Sequence, residues 1–254
     1  MAEAAIAALG GAIIALLLGL FGGGGSVLAT PWLLYAVGIA DPHVAIGTGA
    51  AAVALNAAAN LGMQARAGTV KWPCALSFAG AGLAGSLAGA ALAQRVDGAA
   101  LLGGFALAML AVGIAMLRPP RDAGDPGVRL DAAMTLKLVP AGLVVGLAAG
   151  FFGIGGGFLI VPGLMAATGM TLANAAASSL VSVVVFGAAT SGTYALSGRV
   201  DAPALIAMVA GGLIGVIAAR KLAPLLGRHA LVARRLFAAM VILTALYVGW
   251  RALG

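Results

Sequence analysis

Phe21-Gly22-Gly23-Gly24-Gly25-Ser26 and Phe152-Gly153-Ile154-Gly155-Gly156-Gly157 are two copies of one signal. Phe21 pairs with Phe152, Gly22 with Gly153, Gly24 with Gly155 and Gly25 with Gly156, all at one offset, 153 − 22 = 131. Six residues past the paired Gly25 and Gly156 the match continues with Pro31 and Pro162, and seven further on with Gly38 and Gly169. Pro73 and Pro203, then Gly85 and Gly215, continue it at offset 130. The chain is therefore read as a duplicated unit with a glycine break at the same place in each copy. Glycine interruptions in otherwise apolar segments are where membrane carriers build binding sites.

Composition supports that setting. Hydrophobic residues make up 63% of the chain and charged residues 8%, against about 25% charged in a soluble domain. Mean hydropathy is +1.13. The fold class expected is an all-α integral membrane protein. A β-barrel would show alternating segments of roughly ten residues. Here the apolar runs approach the ~20 residues of a spanning helix and are rich in Ala, Gly and Leu, which let membrane helices pack closely.

Five apolar segments precede a polar stretch: Ala4–Phe21, Val27–Ile39, Val44–Gln64, Pro73–Gln94 and Gly98–Leu117. Five follow it: Leu138–Phe152, Phe158–Met170, Ala173–Leu196, Pro203–Ala219 and Leu231–Trp250. The boundaries are a first membrane repeat at 1–117, a cytoplasmic linker at 118–131 carrying Pro119, Pro120 and Pro126, and a second repeat at 132–254. Ala4–Phe21 lacks the basic start of a signal peptide and is read as a retained helix. The second segment of each half is too short to span as a helix. Whether segments one and two form a re-entrant hairpin or two tilted spans stays open. Either way each half crosses an odd number of times, so the copies lie upside down to one another, as an inverted-topology repeat.

Odd parity divides the cations. Arg66, Lys71, Arg118, Arg121, Arg129, Lys137, Arg220, Lys221, Arg228, Arg234 and Arg235 fall on one side; Arg95, Arg199 and Arg251 fall on the other. The positive-inside rule puts the larger group in the cytoplasm and both termini in the periplasm of a cell inner membrane. It also accounts for the net charge of +7, leaving nucleic acid unneeded as a partner. The single cysteine, Cys74, excludes an internal disulfide and a multi-cysteine metal site. No metal or cofactor is expected. Homo-oligomerisation is compatible with the composition.

The substrate-binding candidates are Gly22, Gly23, Gly24, Gly25, Ser26, Gly153, Gly155, Gly156 and Gly157 at the breaks. A broken helix leaves N–H groups free at the start of the next segment, here Val27 and Phe158, and these favour an anion. An inverted repeat is expected to bring both breaks together near the midplane. Thr48, Asn56 and Asn60 share a helix face by their spacing of eight and four residues and join the candidates. So do Ser178 and Ser179; Thr48 matches Ser179 in the repeat. Pro31 and Pro162 are given structural roles. The plainer readings are close helix packing for the glycines and interhelical hydrogen bonds for the hydroxyls and amides.

Every Asp and Glu lies in a terminus, a loop or the linker, as do His43 and His229. A buried carboxylate relay for protons is therefore missing, and no catalytic constellation is seen; the chain is not expected to be an enzyme. The glycine run lacks the lysine of a phosphate loop.

At these residues the chain resembles the sulfite exporter TauE/SafE family of membrane permeases. The resemblance rests on Gly19-Leu20-Phe21-Gly22-Gly23-Gly24-Gly25 with Pro31, and on Gly150-Phe151-Phe152-Gly153-Ile154-Gly155-Gly156-Gly157 with Pro162. Ala45-Ile46-Gly47-Thr48 and Ala176-Ala177-Ser178-Ser179-Leu180 extend it. One departure is Ser26, which follows Gly25 where the second copy has Phe158 after Gly157. The resemblance implies movement of small sulfur-containing anions, such as sulfite or sulfonates, across the cytoplasmic membrane, as export. The alternatives carried with it are export of another small metabolite and a non-transporting membrane scaffold.

Overall fold

A computed structural model describes residues 2–117, 124–153, 157–227 and 230–253. Its regular structure is helical, joined by short loops, with seven apolar stretches long enough to cross a membrane among the described residues. In chain order, α1 (Ala2–Phe21) leads into a 3-10 coil (Gly22–Leu28), one turn α2 (Ala29–Pro31) and π-type turns (Trp32–Val37). Then come α3 (Pro42–Arg66), α4 (Trp72–Ala93) and α5 (Gly98–Leu117). The second half holds α6 (Ala132–Phe152), α7 (Gly157–Thr168), α8 (Leu172–Leu196), α9 (Ala202–Gly227) and α10 (Ala230–Leu253). Leu107, Val144, Ile206, Ile214 and Leu243 are each 67–69% exposed. Such a surface is stable against lipid and not against water, so the chain is an integral membrane protein.

Four of the acidic residues start helices. The Asp41 carboxylate accepts from the His43 N–H ahead of α3, Asp97 from Ala99 ahead of α5, Asp131 from Met134 ahead of α6 and Asp201 from Ala204 ahead of α9. Each satisfies a donor that a helix start would leave free. These are the loop and linker positions to which sequence had confined the carboxylates.

Ala2–Val37 is apolar over 36 residues, yet it is not one long span. Gly22 takes a left-handed φ of +67°, and the chain doubles back. Gly25 packs against Ile14, Leu17 and Leu18, and the Trp32 indole N–H donates to the Ile6 carbonyl at 2.9 Å. In the second half Gly153, at φ +65°, ends α6, and Gly163 on α7 lies against Val145 of α6. In both halves the first segment is a full-length helix and the chain then folds back along it.

The halves interlock. α4 packs along α6 and α1 along α9, each pair parallel: Gly142, Gly146 and Gly150 sit on the carbonyls of Phe78, Gly82 and Ser86, and Gly211 and Gly215 on those of Ala8 and Ala12. No side chain fits between such backbones, which is how glycine builds tight membrane packing. The third helices pair antiparallel, with Gly47 of α3 at Tyr194 of α8 and Gly187 of α8 at Ala50 and Ala54 of α3. The last helices do the same, Gly113 of α5 facing Ile242 of α10 while Gly249 faces Ala106.

Candidate functional site

The first break is built from small residues because it is enclosed. Gly22, Gly23, Gly24, Gly25 and Ser26 are all buried. The Gly23 N–H donates to the Ser179 hydroxyl at 3.1 Å, and that hydroxyl donates to the Ala176 carbonyl at 2.7 Å. Ser26 closes the turn by donating to the Gly23 carbonyl at 2.7 Å. A buried backbone group needs such a partner. Phe237 of α10 covers Gly24 and stacks on Phe21 with ring centroids 4.8 Å apart. Pro31 is buried in the return leg.

The return leg differs from the expected second helix. It is a 3-10 coil followed by single turns, so Val27 does not begin an α-helix and presents no helix dipole to an anion. Four consecutive glycines leave nothing to hold α-helical dihedrals. In the second half, Gly155 and Gly156 lie outside the described residues. Gly157 opens α7. Pro162 is exposed, unlike its counterpart Pro31.

The breaks do not face one another near the midplane. Gly22 lies at Ala176 and Ser179, toward the start of α8. Gly153 lies at Ile46, toward the start of α3, and Ile46 clusters with Tyr194 near the end of α8. Ser179 and Tyr194 are 194 − 179 = 15 residues apart, about 22 Å along a helix. The reason is the length of α1 and α6, 20 and 21 residues. Each crosses about 30 Å before it breaks, so the hairpin tips reach opposite ends of the bundle. What meets in between is the return legs, where α7 packs on the 3-10 coil.

The hydroxyl candidates hold backbone. Thr48 accepts from the Asp201 N–H at 2.8 Å and Ser178 from the Lys71 N–H at 2.9 Å. Lys71 and Asp201 are repeat equivalents at offset 130. Each hydroxyl thus pins the loop that enters the fourth helix of the opposite half. Asn60 donates to the carbonyls of Ala15 and Asn56, both at 3.1 Å. The Asn56 side-chain amide N–H donates at 3.5 Å to the Met208 carbonyl, while its side-chain oxygen Oδ1 is buried without a partner among the described residues.

One turn before the first break a cleft of about 380 Å³ opens. Gly19, Asn60, Gln64, Arg66 and Arg220 line it, with Met63, Ala67 and Ala219 as the apolar wall. Two guanidinium groups, two amides and no carboxylate give this cleft a net positive charge. Of these residues sequence reading had chosen only Asn60. Gln64 was legible as the next i+4 step after Asn56 and Asn60. Arg66 and Arg220 were read only as loop charges, because nothing in the sequence brings the end of α3 beside α9.

A family model described as "Sulfite exporter TauE/SafE" matches residues 7–248. The chain belongs to the TauE/SafE family. Among the curated relatives of this TauE/SafE protein is a "Probable membrane transporter protein" of Xylella fastidiosa (strain 9a5c). It is 41% identical over 242 residues, covering 95% of this chain and 93% of the relative. A protein of the same name from Xylella fastidiosa (strain Temecula1 / ATCC 700964) is 42% identical over 245 residues. No solved structure matches. The protein is a membrane transporter of the TauE/SafE type.

Proposed function

We propose that this transporter moves small sulfur-containing oxyanions, sulfite, sulfonates or related species, across the cytoplasmic membrane in the direction of export. The cleft of Asn60, Gln64, Arg66 and Arg220 carries the reading. It is a concavity with an apolar wall and two guanidinium groups, at the end of the bundle that also bears Lys71, Arg129, Lys137, Lys221 and Arg235 by chain alternation. That end is assigned to the cytoplasm by the positive-inside rule, with both termini periplasmic.

In this scheme residues 1–117 and 132–254 are inverted repeats joined by 118–131. The antiparallel pairing of α3 with α8 and of α5 with α10, each a helix and its repeat equivalent, supports this. The anion is captured at Arg66 and Arg220 and handed to Asn60 and the Gly22–Ser26 turn that Ser179 holds. Gly153 ends the corresponding helix nearer the periplasm, and Gly155, Gly156 and Gly157 are proposed to contact the anion from that side. Thr48 and Ser178 position loops. Buried glycine turns suit passage, because they put backbone dipoles and no bulk beside the substrate.

The test is flux of labelled sulfite and of a short-chain sulfonate in proteoliposomes, with a neutral metabolite of similar size as comparison. Oxyanion flux no greater than in empty liposomes refutes the reading.

A further inference from the structure

His43, Tyr194 and Arg199 leave three polar side-chain atoms buried without a hydrogen-bond partner among the described residues: His43 Nδ1, the Tyr194 hydroxyl and Arg199 Nη1. Tyr194 itself is 0% exposed. These residues lie at the end of the bundle opposite the Arg66–Arg220 cleft, beside Ile46 and the second break. Burying one such atom is costly, and three on neighbouring residues ask for a partner that the protein itself does not supply.

The fold brings the three together by identifiable contacts. α8 ends at Leu196, Gly198 turns left-handed at φ +68°, and the Arg199 N–H returns to the Tyr194 carbonyl at 2.9 Å. That helix-ending turn sets Arg199 beside Tyr194. Gly47 of α3 lies against the Arg199 carbonyl and the Tyr194 side chain. One turn earlier on α3, the His43 ring stacks on Tyr194 with centroids 6.1 Å apart. Thr48 fastens the next residue but one, Asp201. The charged groups acting on the phenol are Arg199 and Asp41, and one Asp41 oxygen is taken by the His43 N–H.

The first half shows that the turn does not impose unpaired groups. Gln64, Gly68 and Thr69 are the equivalents of Tyr194, Gly198 and Arg199 at offset 130. There Gly68 has φ +70°, and the Thr69 hydroxyl bonds both the Gln64 carbonyl and its side-chain oxygen at 3.0 Å. The same turn is self-satisfied in one copy and carries a guanidinium, a phenol and an imidazole with free atoms in the other.

We propose that Arg199, Tyr194 and His43 form a second oxyanion site, facing the periplasmic end, for one small anion of the sulfite or sulfonate class. The guanidinium supplies charge and an N–H donor, the phenol an O–H donor and the imidazole a third contact. The assignment rests on the anion-transport reading and adds an exit station to it.

The experiment titrates detergent-solubilised full-length protein with sulfite and measures sided sulfite flux in sealed vesicles of known orientation. Tyr194→Phe keeps the ring and removes only the unpaired hydroxyl, so the variant folds. Its unfolding midpoint without sulfite stays level or rises. Its sulfite dissociation constant, and the half-saturating concentration at the Arg199 face, rise about tenfold. Arg199→Gln raises both by more. Half-saturation at the Arg66–Arg220 face stays within about twofold. Tyr194→Phe with unchanged sulfite affinity and unchanged half-saturation at both faces overturns the site and leaves a packed aromatic cluster. Wild-type vesicles that carry no sulfite while the solubilised protein still loses affinity on Tyr194→Phe overturn the transport reading and sustain the site.

Discussion

Replacing Gly22 by alanine tests whether the first break is a fixed, packed turn. Gly22 has φ +67°, and a Cβ there would lie 2.6 Å from the Ala176 carbonyl oxygen, 2.7 Å from its Cα and 2.8 Å from the Ser179 hydroxyl. Gly38 is the internal comparison: its φ is +91°, but nothing stands within 4 Å of an added Cβ. Both substitutions incur the left-handed penalty, about 1–2 kcal/mol. Gly22→Ala adds overpacking of about 1–3 kcal/mol. It also displaces the hydroxyl that receives the Gly23 N–H, about 1 kcal/mol more. The difference between the variants is therefore roughly 2–4 kcal/mol. Unfolding followed in detergent micelles reads it directly; for a chain of this length each kcal/mol moves the midpoint by about 2–4 °C. Sulfite flux below both midpoints gives the functional half: Gly22→Ala loses transport and Gly38→Ala keeps it. Midpoints that agree to within about 2–4 °C, with equal flux, would show that the packing around Gly22 does not hold the turn.

Arg220→Gln raises the half-saturating sulfite concentration at the cleft face about three- to tenfold and flattens its dependence on ionic strength, because an exposed cation acts by long-range attraction; initial-rate flux at two salt concentrations checks this. Gly146→Ala drives a methyl into the Gly82 carbonyl and lowers stability by about 1–3 kcal/mol. Gly62→Ala, in α3 with nothing within 4 Å, leaves stability level or raises it by up to about 1 kcal/mol; unfolding midpoints of the pair separate a packing glycine from a free one. A reporter fused after Gly254 reads periplasmic, and a cytoplasmic signal breaks the orientation proposed from the arginines and lysines.

Much of the architecture was written in one-dimensional pattern. Apolar runs near the bilayer thickness fixed the membrane class, since so few charges cannot cover a soluble surface. The break at Gly22–Gly25 and its echo at Gly153 were legible because glycine interrupts a helix by local means. Asp41, Asp97, Asp131 and Asp201 sat where helices start, and they cap them. Asn56 and Asn60 were found by helical spacing, which is also local.

Tertiary structure alone decided what those pieces face. Sequence offered the breaks as partners across a midplane; α1 and α6 run the full span before breaking, so Gly22 meets Ser179 and Gly153 meets Ile46 at opposite ends. Arg66 and Arg220 are 154 residues apart (220 − 66), and only the packing of α3, α1 and α9 makes them walls of one cleft. The pairing of Tyr194 and Arg199 with His43 depends on Gly47 admitting a neighbouring turn. A sequence encodes spacing within a segment, and hence faces, caps and breaks. Which faces touch is set by the joint packing of all segments, which no single spacing contains.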